Sequence, residues 1–185
     1  MAKHIPIRQV VLDIETTGLD VASGDRIIEI AVAEILDSHV SGKHLHIYIN
    51  PERDIDLGAV AIHGISLDML LDKPKFSEVA KPVTDFIRGA ELIAHNAPFD
   101  SGFLNKELTL VGLSPIEELC QSVVDTLAMA RKQRPNKSNS ISALCAEYGI
   151  KSPKKNLHGA LLDAYLLAEV YLMLTRRGTS LDRET

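Results

Sequence analysis

The sequence predicts an α/β fold in which helices cover both faces of a mixed sheet. Three observations carry this expectation. Three strand-like runs come first, and the short connections between them suit an antiparallel meander. Strands then alternate with helical segments, as in crossover units. The 185 residues, 45% of them apolar, suit a single domain with one core.

Residues 9–15 (QVVLDIE) are apolar and β-branched and read as the first strand, ended by Thr16, Thr17 and Gly18. Residues 27–36 (IIEIAVAEIL) give the second strand and 45–50 (LHIYIN) the third, closed by Pro51. A short helix is expected over 57–62 and a longer one over 76–88. Ser77 is the expected N-cap of the longer helix, and Pro82 either kinks it or marks its start. Residues 91–94 form a fourth strand, followed by a helix over 99–110, and residues 123–125 form a fifth strand. Helices over 126–132, 140–148 and 159–175 complete the domain, and the polar end, 176–185, is expected to be a disordered tail.

Bulk properties exclude some classes. No apolar run approaches the roughly 18 residues of a membrane span, so no membrane role is expected. The first eight residues have no apolar signal core, and Cys120 and Cys145 are too few for a disulfide framework. A reducing, cytoplasmic setting is expected. The net charge of −5 argues against broad electrostatic binding of nucleic acid. The charge is uneven, however: Arg131, Lys132, Arg134, Lys137, Lys151, Lys154 and Lys155 stand in one window with a single acid, Glu147. That window is either a solvated surface or a contact for a phosphate backbone.

Four acids and one histidine stand out. Asp13 and Glu15 lie two apart in a strand, so their side chains share one face. Burying two carboxylates together is costly unless a cation joins them, and an all-oxygen donor set suits Mg²⁺ or Mn²⁺. The alternative is a solvated strand end. Asp100 follows the fourth strand, where sites in open sheets gather, although it can also simply cap the next helix. Asp163 sits in an apolar helix and needs a partner. His158 precedes it by five residues, which a regular helix would set roughly 140° away. His158 is therefore expected on a loop before the helix, where its pKa suits a general base.

Together, DIETTG at 13–18, HNAPFD at 95–100 and HGALLD at 158–163 resemble the three motifs of the DEDD exonuclease superfamily, in its histidine branch. Further likeness at 70–74, 87–92 and 157–171 points to the epsilon family, the proofreading subunits of bacterial DNA polymerase III. The resemblance implies a ribonuclease H-like five-stranded sheet, order 3-2-1-4-5 with strand 2 antiparallel, within an exonuclease domain spanning 1–175. It implies that two divalent cations are held by Asp13, Glu15 and Asp163, with Asp100 supporting the second, and that His158 takes a proton from the attacking water. Thr16, Gly18, Leu19, Ile62, His63, Asn96 and Phe99 match family contacts to the terminal nucleotide, although Phe99 and Ile62 also suit a core and Asn96 a turn. Implied partners are a single-stranded 3′ end of DNA, the polymerase alpha subunit and a small theta-type subunit.

The sequence departs from the family in three places, one of them a short loop between Leu19 and Arg26. Relatives often carry Glu where Gly58 stands, and no glutamine follows Gln133, so the family's clamp-binding peptide is not seen. The chain is thus either the catalytic domain alone or one that meets its polymerase differently. Two other functions compete with proofreading. An RNA-processing exonuclease of the same branch is disfavoured by 4% aromatic content without Trp, which gives no broad stacking platform. A catalytically silent scaffold is disfavoured because all five catalytic side chains are present.

Overall fold

The computed structural model describes residues 8–151 and 159–181. Five strands form one sheet in the order β3-β2-β1-β4-β5. They are β1 (Gln9–Thr16), β2 (Ile27–Leu36), β3 (His39–Tyr48), β4 (Glu91–Ala94) and β5 (Ser122–Asp125). β2 runs antiparallel to β1 and β3, whereas β1, β4 and β5 run parallel. This is the ribonuclease H-like topology the sequence predicts.

Helices cover both faces. α2 (Phe76–Ile87) and α3 (Ala97–Leu110) pack on one side, where Val10, Leu12 and Ile14 of β1 meet Phe76, Val83, Phe103 and Leu104. α7 (Ala160–Leu181) packs on the other, where Val11, Ala31 and Ile93 meet Ala160, Ala164 and Leu167. α5 (Thr126–Gln133) and α6 (Ile141–Tyr148) lie beside α7 through Ala130, Leu144 and Val170. Because the central strands are buried on both faces, they read as continuous apolar runs rather than alternating ones. No helix among the described residues is long and apolar enough to cross a membrane.

Local chemistry moves several boundaries from their expected places. β3 starts at His39, not at residue 45. Asp37 and Ser38 both adopt positive φ and form a two-residue hairpin turn that pairs β3 with β2 immediately. The polar first half of β3 is an exposed edge, so it carries no apolar signal. α2 starts at Phe76 behind Lys75, whose N–H donates to the Glu78 carboxylate at 2.8 Å, so Ser77 is not the cap. Pro82 sits inside that helix. α3 begins at Ala97 because Asn96 takes the left-handed conformation, and α7 continues to Leu181, past its expected end at residue 175. Three short helices complete the chain: α1 (Leu57–His63), a 3₁₀ turn at Leu67–Met69 and α4 (Ile116–Leu119).

One ion pair ties the site-bearing helix to the sheet. Arg26, just before β2, donates twice to the Glu107 carboxylate of α3, at 2.7 and 2.8 Å, and Glu107 is 2% exposed. Glu107→Ala is expected to destabilise the fold by about 3 kcal/mol, because it leaves the guanidinium without its partner in a largely desolvated place. Urea unfolding of both proteins measures this, and an unchanged midpoint would show that the pair contributes nothing net.

Candidate active site

The side-chain alternation of β1 builds the site. Val10, Leu12 and Ile14 point into the layer beneath α2 and α3, so Val11, Asp13 and Glu15 point to the α7 side. The first turn of α7 brings Asp163 over them. Carboxylate oxygens of Asp13, Glu15 and Asp163 lie within 4.8 Å of one another. Three oxygens with no thiolate form a hard donor set that fits a divalent cation.

Asp100 approaches from the first turn of α3 and is 5% exposed. It stands outside the group of three but is close enough to repel Asp13. Burial raises the Asp13 carboxyl well above its ordinary range, and the charges of Asp100, Asp163, Glu15 and Glu29 raise it further. Burial also pushes Asp100 up to about 8; a backbone hydrogen bond opposes the shift, while Glu15 and Asp125 add to it.

Glu29 was not anticipated from the sequence. It stands opposite Glu15 in the β1–β2 register and is 2% exposed. Its carboxylate meets His46 Nε2 at 2.6 Å, accepts the Ala160 N–H at 3.3 Å and is hydrogen-bonded by Tyr48. It therefore holds the N-terminus of α7 beside the acids and complements the helix dipole there. The available signal was an acid in a strand otherwise apolar at every neighbouring position.

Next to the acids lies a cavity of about 300 Å³ that reaches Glu15. It gathers Thr16, Gly18, Leu19, Ile62, His63 and Phe99, all expected from the sequence, and adds Ile14, Asp56, Gly58 and Ala59. Leu19 is 79% and Ile62 50% exposed, so neither serves as core. Phe99 is half-buried against Phe103, at 4.9 Å between ring centroids, and presents its remaining surface to the cavity. Gly18 is required by space: a Cβ there would overlap the Asp25 and Asp56 carboxylates. Gly58 has open space around it, so the cavity is wider on that side than a glutamate would leave it.

His63 is buried, and burial lowers its pKa, so the ring is neutral near pH 7. Its Nδ1 accepts the Ile65 N–H at 3.0 Å, which leaves the proton on Nε2, and the Thr16 backbone also lies beside the ring. Asn96 does not line this cavity. It instead turns the chain into α3, and its N–H donates to Asp125. His158 lies outside the described residues.

The model of the exonuclease family matches residues 10–171. The DNA polymerase III subunit epsilon of Pasteurella multocida is 48% identical over 95% of this chain and 71% of its own length. That of Escherichia coli is 48% identical over 94% of this chain and 74% of its own. The chain belongs to the epsilon family of exonucleases. Among solved structures, exonuclease X in complex with 5′ overhanging duplex DNA superposes with a TM-score of 0.70 at 27% identity, covering 91% of this chain and 92% of that one. Exonuclease I shares the fold, with a TM-score of 0.80 at 20% identity over 96% of this chain and 43% of its own.

The crowded acids set a pH dependence for the metal-free protein. A carboxyl whose pKa is raised by folding favours the folded state at low pH and loses that contribution as pH rises through the raised value. In EDTA the melting temperature should therefore fall between about pH 4 and pH 8, the span from the ordinary range of Asp100 to its value near 8. Asp100→Asn should flatten the curve, and a divalent cation should reverse the loss. A wild-type curve in EDTA that is flat across this span would contradict the assigned crowding.

Proposed function

We propose that this chain removes mismatched nucleotides from the 3′ end of single-stranded DNA as nucleoside 5′-monophosphates, proofreading for a bacterial replicative polymerase. The carrying observation is the convergence of Asp13, Glu15 and Asp163 beside a cavity sized for one nucleotide and lined by exposed apolar side chains. The family relatives support the polymerase setting, and the alpha and theta-type subunits are its expected neighbours.

Asp13, Glu15 and Asp163 would hold two divalent cations, Mg²⁺ or Mn²⁺, with Asp100 in support. When bound, these cations relieve the repulsion among the acids, make the attacking water more acidic and stabilise the leaving 3′-oxygen. The chain's own side chains do the remainder. Leu19 and Ile62 hold the terminal base away from its neighbour, and Phe99 supplies an apolar wall. His63 donates its Nε2–H to an oxygen of the terminal nucleotide. Gly18 lets the backbone approach closely. His158 accepts the proton of the attacking water as general base.

The direct test is a time course on end-labelled primers, matched and mismatched, with an RNA strand alongside. The mismatched DNA end should be cut faster, because a paired end must first lose a few kcal/mol of pairing and stacking. Equal rates on the two primers would sink proofreading, and faster cleavage of RNA would favour RNA processing.

His158→Ala should lower the maximal rate by about 10²–10⁴-fold, the usual worth of a positioned base, while Mn²⁺ binding by calorimetry stays near wild type. Loss of metal binding with activity would make His158 a ligand. Unchanged turnover would remove it from the mechanism.

A further inference from the structure

A second, larger cavity lies on the same edge of the sheet as the acids. Its volume is about 560 Å³, and it is bounded by His95, by α5, by the loop after α5 and by the start of α6. The proposed chemistry does not use it. Its lining includes Arg131, Arg134 and Lys137 and no carboxylate, in a protein whose net charge is −5.

The parallel register locates it relative to the acids. Val11 of β1 pairs with Ile93 of β4, and both face α7. Two residues on, Asp13 is still within β1, while His95 is the first residue of the turn after β4. β5 is the next strand out, and Thr126, just past its end, meets the His95 ring at 2.9 Å. The cavity thus opens at the carboxyl ends of β4 and β5, the end of the sheet at which Asp13 and Glu15 of the parallel β1 also stand.

The cavity wall is held in shape by its own hydrogen bonds. Arg134 donates to the Ser138 carbonyl and to Asn139 Oδ1, both at 3.2 Å, and pairs with Glu147 at 3.2 Å. Asn139 returns bonds to the carbonyls of Arg134 and Lys137. The Arg134 side chain is only 10% exposed, and its Nε is buried with no partner among the described residues. Arg131 and Lys137 are exposed and make no ion pair among the described residues. Ser140 caps α6, so the positive end of that helix also faces the cavity.

We propose that this cavity seats backbone phosphates of the single strand upstream of the nucleotide being removed. The inference rests on the exonuclease reading above and names where the rest of that strand runs. Two exposed cations, Arg131 and Lys137, beside the Arg134 wall and a helix N-terminus form an anion site. Its place matches a strand continuing across the carboxyl ends of β4 and β5. In an acidic protein this local patch is what keeps the strand from being repelled.

The test compares Arg131→Ala/Lys137→Ala with Lys73→Ala/Lys81→Ala, which removes the same charge from the region of α2. Two substrates are used: 5′-labelled dT10, and the p-nitrophenyl ester of thymidine 5′-phosphate, which has no upstream phosphate. The first variant should raise KM for dT10 about tenfold with kcat held, and should flatten the dependence of log kcat/KM on log salt by about 0.7 per lost contact. Its rate on the ester should stay at wild type, and the control variant should match wild type on both. A dT10 KM and salt slope equal to the control would overturn the proposal, as would equal losses on both substrates. Failure of the wild type to cut either substrate would overturn the exonuclease reading and this inference with it, a result distinct from the others.

Discussion

Mutual repulsion among Asp13, Glu15, Asp163 and Asp100 is the constraint on which the rest of the structure depends. Four carboxylates brought to one strand end oppose folding unless a cation, a proton or a neighbouring donor intervenes. The fold holds them in place by spreading the work over rigid elements. β1 fixes Asp13 and Glu15 by alternation, α7 delivers Asp163, and the Arg26–Glu107 pair locks the helix that carries Asp100. Glu29 adds a further acid but is itself satisfied by His46, Tyr48 and the Ala160 N–H. A divalent cation held by these acids would relieve that repulsion.

The geometry divides labour across the sheet edge. On one side of the acids lies an apolar cavity bounded by α1 and the start of α3. On the other, a basic hollow bounded by α5 and α6 carries positive charge. In the proposed reading, a terminal residue is gripped by shape and the strand behind it by charge. A local basic patch in an acidic protein acts at short range.

Much of the site was legible because its signals are local. Two acids spaced by two in an apolar strand define a shared face whatever the remainder of the chain does. The motifs HNAPFD and HGALLD likewise carry their own context, a turn after a strand and the head of a helix. Residues whose role depends on distant partners were not legible. Glu29 works only because β2 pairs with β1 in one register and α7 begins beside it. The left-handed backbone of Asn96, which starts α3, was likewise not legible.

Strand and helix periodicity, the order of elements and the metal-binding motifs were set by the sequence itself, because each depends on neighbours within a few residues. The early start of β3 was not, since its polar half is recruited by a hairpin turn and by β2 rather than by its own apolar pattern. The tertiary structure alone decided which exposed apolar residues gather around one cavity. It also decided that Arg131, Arg134 and Lys137 line one hollow beyond the end of β4. The physical reason is the same in both cases: side chains far apart in the chain acquire a common surface only when the sheet register and the helix packing place them there.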